Sequence, residues 1–149
     1  MKRIAYLLIF SVLFIVSCAK ETEVQDTGTG TVEASISYQQ DETFPASPDA
    51  SAMTFLIRTN NKKWDLSKSN IKIGEIWFEG ENKLTKFDYS GFADAKGIST
   101  TEKVANGKYI YVVRSLKMYS TTYTEIEVKD NKVTLSKVFK KFDSQNESW

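Results

Sequence analysis

The chain has 149 residues and carries 20 basic and 19 acidic side chains, so its formal net charge is +1. A balance this close to zero gives no long-range field toward nucleic acid, and it argues against DNA or RNA binding. The sequence contains no histidine. This excludes a Ser-His-Asp triad, a Cys-His nucleophile and a His-ligated zinc site.

The N-terminal residues have the pattern of a secretory signal. Lys2 and Arg3 supply a positive start, and an apolar stretch from Ile4 to Val16 follows directly. This stretch is shorter than the roughly 20 residues that an α-helix needs to cross the hydrocarbon core of a bilayer. A short apolar segment after a positive start is typical of a signal peptide that is removed from the mature protein. We therefore predict a signal peptide over residues 1–17.

Cys18 is the only cysteine of the chain, so an intramolecular disulfide is excluded. The segment Ile15-Val16-Ser17-Cys18 resembles the lipobox of bacterial lipoproteins, in which the cysteine is acylated and becomes the first residue after cleavage. The resemblance implies that Cys18 carries lipid, such as palmitate, and anchors the chain to a membrane. Ala19 stands where an aspartate retains such proteins at the inner membrane, so the resemblance implies the outer membrane. Display at the cell surface and orientation into the periplasm both stay open.

Two segments follow the predicted cleavage site. Residues 18–31 are polar, contain glycine and lack apolar periodicity, which predicts a tether. Residues 32–149 show the alternation of apolar and polar side chains that is typical of half-buried strands. They are numerous enough for one domain with its own core. We therefore expect a lipidated tether over 18–31 and a single β domain over 32–149.

Strands separated by turn-forming residues are predicted along the whole domain. The strand candidates are 32–39, 53–59, 71–78 with a β-bulge at Gly74-Glu75, 84–89, 108–114, 119–129 and 133–139. The only helical candidate covers 64–70, and a proline-containing loop covers 40–52. Asn106-Gly107 predicts a hairpin turn, and Asp130-Asn131 predicts a second turn. This spacing predicts an all-β fold, an antiparallel β-sandwich of about seven or eight strands.

One loop and the turn after it carry a family resemblance. Phe92-Ala93-Asp94-Ala95-Lys96-Gly97-Ile98, followed by Asn106-Gly107-Lys108-Tyr109 and a strand, resembles prealbumin-like (transthyretin-like) domains. These include carboxypeptidase regulatory-like and Bacteroidetes lipoprotein variants, which often read Thr-Asp-x-x-Gly and then Pro-Gly-x-Tyr. Here Ala93 replaces the Thr and Asn106 replaces the Pro. The match covers residues 84–129 and implies a seven- or eight-stranded sandwich, no catalytic residue, and a role in display, adhesion or complex assembly.

The same loop can be interpreted from its residues alone. Asp94 can accept hydrogen bonds from nearby backbone N–H groups as an Asx-turn, and Gly97 can supply a positive φ. A calcium site would need several closely spaced acidic oxygens, and the D-x-D-x-D spacing is absent from the sequence. We interpret Asp94 and Gly97 as structural residues. We expect no metal site and no cofactor.

Carboxylates are the remaining candidates for catalysis, because glycoside hydrolysis requires a pair of them. Glu75, Glu79 and Glu81 flank an aromatic strand, but any β protein of this composition offers such pairs. We therefore assign no catalytic residue and expect that the protein is not an enzyme.

Aromatic side chains are the candidate ligand contacts. Trp77 lies on the strand face opposite Ile76 and Phe78, so its indole points outward if those two residues form core. Tyr109 and Tyr111 share one face of their strand. Outward aromatics on a sheet can stack on sugar rings or contact a protein. The alternative for Trp77 is a structural role at the sandwich edge or beneath the proline-containing loop.

These patterns favour a non-enzymatic binding or assembly module at the outer membrane. Its partner would be a protein or a glycan, engaged by loops or by the aromatics Trp77, Tyr109 and Tyr111. The alternative is an accessory protein that presents a glycan to a polysaccharide-uptake system.

Overall fold

The structure is a computed structural model, and it describes residues 28–141 and 147–149. Within these ranges the chain forms twelve strands, and a 3₁₀ helix over Ile71–Ile73 is the only helix. The strands are β1 Thr29–Gln39, β2 Ser47–Pro48, β3 Met53–Arg58, β4 Trp64–Asn70, β5 Glu75–Phe78, β6 Thr85–Lys86, β7 Tyr89–Phe92, β8 Ile98–Ala105, β9 Gly107–Arg114, β10 Thr121–Val128, β11 Lys132–Lys140 and β12 Glu147–Ser148. The described ranges hold no helix with the length and apolar character needed to cross a membrane.

Two sheets form the sandwich. The front sheet consists of β11, β1, β8 and the short β2, and the central sheet has the order β12-β10-β9-β3-β7. In the described ranges, seven strands of four residues or more make up these two sheets. The predicted all-β sandwich is therefore confirmed. A third sheet, β4-β5-β6, lies against the outer face of the central sheet, and we call it the cover sheet.

The main core lies between the front and central sheets. Alternate residues of β1 point into it, as the period-two pattern predicts. Its buried side chains are Val32, Ala34, Ile36, Ala52, Leu56, Ala93, Val104, Tyr109, Tyr111, Val113, Ile126, Val128 and Phe139.

A second core lies between the central and cover sheets. Its buried side chains are Phe55, Ile57, Ile71, Ile76, Phe78, Ile110 and Val112. Consecutive residues of β3 and β9 therefore enter different cores, and both strands are covered on both faces. A strand in this position reads as a continuous apolar run, because neither face meets water. This explains why Tyr109 to Val113 contains no polar alternation.

The predicted hairpin at Asn106-Gly107 is wrong, because this dipeptide joins two different sheets. β8 pairs with β1 in the front sheet, whereas β9 pairs with β3 and β10 in the central sheet. Asp130-Asn131 is likewise a connection from the central sheet to the front sheet. After it, β11 runs parallel to β1 from Thr31↔Lys132 to Gln39↔Lys140, a parallel pair within an otherwise mainly antiparallel structure.

Two local predictions around the cover sheet are also corrected. The helical candidate 64–70 is the strand β4, because Trp64 and Leu66 pack against the second core while the backbone pairs with β5. The predicted β-bulge at Gly74-Glu75 is the end of the 3₁₀ helix. Gly74 has a φ of 71° there, and its N–H donates to the carbonyl of Ile71 at 3.1 Å.

β1 begins at Thr29, earlier than the predicted domain boundary at residue 32. Gly28 and Gly30, expected in a flexible tether, instead lie against the connection between β10 and β11. A Cβ on Gly28 would stand 1.8 Å from Asp130 Oδ1, and one on Gly30 would stand 2.3 Å from the carbonyl oxygen of Asn131. The predicted signal peptide, Cys18 and the rest of the tether lie outside the described residues.

Gly30→Ala is expected to destabilise the domain by about 1–3 kcal/mol, because a well-packed contact must open to admit the methyl group. The new Cβ would also stand 2.7 Å from Val128 Cγ1. Urea unfolding followed by tryptophan fluorescence measures the change. Thr29→Ala, at the exposed neighbouring position, is the control. Equal free energies of unfolding for the two variants would contradict the close packing of Gly30.

Candidate functional site

The strand register divides the loops between two poles. β1 starts at the N-terminal pole, where Thr29 pairs with Ala105 and the N–H of Asn106 donates to the carbonyl of Gly28 at 2.9 Å. The β3–β4 loop lies at the same pole, since the N–H of Thr59 donates to the carbonyl of Lys108 at 2.9 Å. The distal pole holds the opposite strand ends: loop 40–52, the 3₁₀ helix, turn 93–97 and the β9–β10 connection 115–120.

Large apolar side chains are exposed at the distal pole. Phe44 in the loop after β1 is 66% exposed, Phe92 at the end of β7 is 63% exposed, and Tyr119 between β9 and β10 is 78% exposed. Ile73 and Leu116 are exposed at the same pole. An exposed apolar area of this kind is typical of an interaction surface when its members lie close together.

An apolar groove of about 230 Å³ opens beside the strand β7, and we call it the β7 groove. The rings of Phe55 and Phe87, with centroids 5.2 Å apart, lie at this groove. Ile73, Phe92 and Arg114 also line it. The groove therefore combines apolar walls with a guanidinium group.

A second groove, of about 410 Å³, lies at the N-terminal pole, and we call it the polar groove. Its polar lining residues are Thr59, Asn61, Lys62, Lys108, Glu125 and Glu127. Trp64 stands beside it: its indole N–H donates to Glu125 Oε1 at 3.0 Å, and its ring packs edge-on against Tyr123 with centroids 5.0 Å apart. These contacts hold the indole in place next to a mixed set of charges.

Tyr109 and Tyr111 do not face solvent, so the expectation of an exposed pair of rings is corrected, although Tyr109 also lines the polar groove. Each residue is 1% exposed and belongs to the main core. The hydroxyl of Tyr109 donates to the carbonyl of Ala105 at 2.7 Å. Burial raises the pKa of both hydroxyls to about 12. The uninterrupted apolar run of β9 was the sequence signal for a strand covered on both faces.

Trp77 lies on the outward face of the cover sheet, as expected from the burial of Ile76 and Phe78. The indole is half-buried, and the Lys68 ammonium stands 4.1 Å from the ring centroid. A cation in this position interacts with the π-face of the ring. A ligand that stacks on this face would have to displace Lys68, so ligand contact by Trp77 stays a prediction.

Two of the acidic side chains considered for chemistry, Glu81 and Asp94, already have partners. Glu81 forms an ion pair with Lys62, and this contact lowers the pKa of the Glu81 carboxyl. Asp94 has the structural role expected of it, since its Oδ1 accepts the N–H groups of Lys96 and Ile98, each at 2.8 Å. Gly97 has a φ of 76° in the same turn. The described residues contain no cluster of three or more His, Cys, Asp and Glu side chains that could hold a metal ion.

Asp49 is a buried carboxylate that the sequence did not single out. Its Oδ2 accepts a hydrogen bond from Ser115 Oγ, which joins loop 40–52 to the β9–β10 connection. Its Oδ1 lacks a hydrogen-bond partner among the described residues. Burial raises the pKa of this carboxyl, against the opposing effects of Ser115 and Lys117. Nothing in the polar sequence around Asp49 marks it as buried, because the covering residues come from distant parts of the chain.

No family model and no curated protein matches the sequence. Among solved structures, the chain is similar to the minor pilin of Streptococcus agalactiae, with a TM-score of 0.46 and 14% identity over 78% of this chain and 46% of that chain. The full-length major pilin of Corynebacterium diphtheriae gives a TM-score of 0.45 and 10% identity over 78% of this chain and 33% of that chain. A Pseudomonas aeruginosa protein with a suggested carbohydrate-binding role gives a TM-score of 0.40 and 11% identity over 76% of this chain and 91% of that chain.

The chain spans less than half of the length of either pilin. At these scores and identities, the comparisons assign neither a family nor a function to this chain.

Asp49→Asn is expected to remove part of the pH dependence of stability. Because the pKa of Asp49 is raised on folding, the folded state binds more protons than the unfolded chain. Asp49 therefore contributes to the stability of the wild type at pH values below its pKa in the unfolded chain. This contribution is lost as the pH rises through the higher pKa of the folded state. Asn keeps an acceptor for Ser115 without the buried charge, so the variant should be more stable at pH 8 by about 1–3 kcal/mol.

Urea unfolding at pH 4 and pH 8 measures this difference. Asp41→Asn is the matched control, because Asp41 is exposed in the same loop and hydrogen bonds from Thr43 lower its pKa. The control should not gain stability at pH 8. The same pH dependence in wild type and Asp49→Asn would contradict a buried carboxylate at position 49.

Proposed function

We propose that the chain is a non-enzymatic binding module, anchored at the bacterial outer membrane through lipid on Cys18, which presents its distal pole to a protein partner. The observation that carries this proposal is the exposure of Phe44, Phe92 and Tyr119 at the pole opposite the start of β1. The anchor and the contact surface are then at opposite ends of the domain.

The position of β1 supports this orientation. Residues 18–27 precede Gly28 at the N-terminal pole, and ten residues reach at most about 35 Å when fully extended. A lipid on Cys18 would therefore hold the N-terminal pole near the membrane, and the distal pole would face away from it.

The chemistry of the surface favours binding over catalysis. The chain has no histidine, and the described carboxylates of the polar groove already have partners: Glu125 accepts from Trp64, and Glu127 forms an ion pair with Lys129 at 2.9 Å. Apolar side chains exposed together are stabilised when a partner covers them, at roughly 25 cal/mol per Å² of apolar surface removed from water. A protein surface is a partner of suitable size and chemistry.

A glycan-presenting accessory protein is the second candidate. The polar groove favours it, because an ordered indole lies beside hydrogen-bonding side chains such as Asn61 and Lys108. Sugars are bound by this combination of ring stacking and polar contacts. Trp77 could add a second ring only if Lys68 moves away from its face.

Cys18→Ser is expected to abolish lipid attachment and to release the chain from the membrane fraction. Attachment of the lipid in this motif requires the cysteine sulfur, and serine offers only a hydroxyl oxygen at that position. Metabolic labelling with a palmitate analogue, followed by membrane fractionation, measures both effects. Ser17→Ala keeps a small residue before the cleavage site and serves as the control. Continued labelling of Cys18→Ser would disprove the proposed anchor.

A photocrosslinking amino acid placed at Tyr119 is expected to give a discrete adduct of higher mass in intact cells, because this residue is exposed at the distal pole. The matched control carries the same amino acid at Lys129, which is exposed at the N-terminal pole. Immunoblotting after irradiation compares the two. The same adducts from both positions, or none from position 119, would refute binding at the distal pole.

The nature of the adduct separates the two candidates. An adduct that yields peptides of a second protein by mass spectrometry supports the assembly module. An adduct removed by glycosidases alone would replace it with the glycan-presenting alternative.

A further inference from the structure

The strand β7 forms an open edge of the central sheet. It pairs with β3 on one side, and no described strand pairs with it on the other. The N–H of Ala93 donates to the carbonyl of Ala52 at 2.9 Å, so the antiparallel alternation directs the backbone groups of Ser90 and Phe92 away from β3. An edge of this kind can accept a further strand.

The β7 groove adjoins this edge. Ser90 and Phe92 line the groove together with Phe87 and Ile73, so a strand added to β7 would direct alternate side chains into it. Phe92 is 63% exposed, Ile73 46% and Phe87 38%. The groove therefore offers apolar contacts beside Ser90 and Phe92, the residues whose backbone groups can hydrogen-bond to an added strand.

A positive charge completes the surface. Arg114 Nη1 donates to the carbonyl of Lys72 at 3.2 Å, and both residues line the β7 groove. The ion pairs of the described residues involve other side chains, and none joins a carboxylate to Arg114. An acidic side chain on the occupant would supply that carboxylate in the bidentate geometry that guanidinium favours.

We propose that β7 accepts an extended segment of a partner protein as an added strand, with alternate apolar side chains in the β7 groove and an acidic side chain on Arg114. This inference rests on the proposed function, for which it names the docking strand and the chemistry of the partner. Strand addition of this type takes affinity from main-chain hydrogen bonds and specificity from the pockets beside them.

Other occupants fit these observations less well. A second copy would offer its own β7, which has no acid for Arg114. The flanking Asp88 and Asp94 already accept hydrogen bonds from backbone N–H groups. An acyl chain would fill the groove but has no hydrogen-bonding group for the outward backbone of Ser90 and Phe92. A peptide strand with an acidic residue can contact the apolar walls, hydrogen-bond to the β7 backbone and pair with Arg114 at the same time.

Selection from a phage library of short linear peptides, panned on the full chain in detergent, tests the proposal. We expect enriched peptides with alternate apolar residues and an Asp or Glu. Their affinity should fall about tenfold or more with Arg114→Gln, because a hydrogen bond to a charged group is lost. Lys117→Gln, which removes an exposed positive charge from the same pole, is the matched control and should bind as wild type.

The open edge is tested with Ser90→Pro, which removes one outward N–H at a position where an edge strand tolerates proline. This variant should not bind the selected peptides. Circular dichroism establishes whether it is folded. If it is not, selection on Arg114→Glu decides the matter, since the consensus should then change from acidic to basic residues.

Peptides without an acidic consensus, or peptides that bind Arg114→Gln and wild type equally, would overturn the proposal. Dimerisation of the wild type that Ser90→Pro abolishes would assign the edge to a second copy instead. Competition of the peptides by a fatty acid, with no acidic consensus, would assign the groove to a lipid. Labelling of Cys18 and crosslinking at Tyr119 do not require β7, so failure of the proposed function would be visible separately.

Discussion

The double-sided burial of the central sheet is the constraint on which the other features of this domain depend. The front sheet covers one face of β9 through Tyr109, Tyr111 and Val113, and the cover sheet covers the other through Ile110 and Val112. A ligand cannot reach either face without displacing a layer. Recognition through the central sheet is therefore confined to the poles, where its strands end, and to its outer edges.

The two poles differ in how their polar groups are satisfied. At the N-terminal pole, backbone and side-chain hydrogen bonds join Gly28, Asn106 and Asp130. The Lys62, Glu125 and Glu127 side chains of the polar groove have side-chain partners there. At the distal pole, Asp49 and Ser115 tie two connections together beneath exposed apolar side chains. Loops held on a rigid scaffold are where binding residues are most often found. The distal pole therefore combines a fixed framework with a surface that favours contact.

The β7 edge restricts which partners can bind this surface. Apolar side chains alone would accept many partners, but unpaired backbone groups require an extended chain, and Arg114 discriminates by charge. The short length of β7 limits the number of hydrogen bonds that an added strand can make. Apolar contacts in the groove and the contact with Arg114 must then supply much of the affinity.

The sequence alone determined features that depend on neighbouring residues. The alternation in β1 and β11 identified strands, and Asp94 with Gly97 identified a turn, because the hydrogen bonds of that turn span only four residues. The all-β class followed from the same patterns. The prealbumin-like family and the lipid anchor were also read from local motifs, and both stay predictions.

Only the tertiary structure decided which face of each strand is covered and which strands meet. Period-two alternation assigns a residue to one of two faces, but the layer that buries Tyr109 and Tyr111 comes from distant segments. For the same reason, Asn106-Gly107 joins two sheets, residues 64–70 form a strand, and Gly30 lies against Asn131. The open edge of β7 and the position of Arg114 beside it also result from long-range pairing, which no local pattern contains.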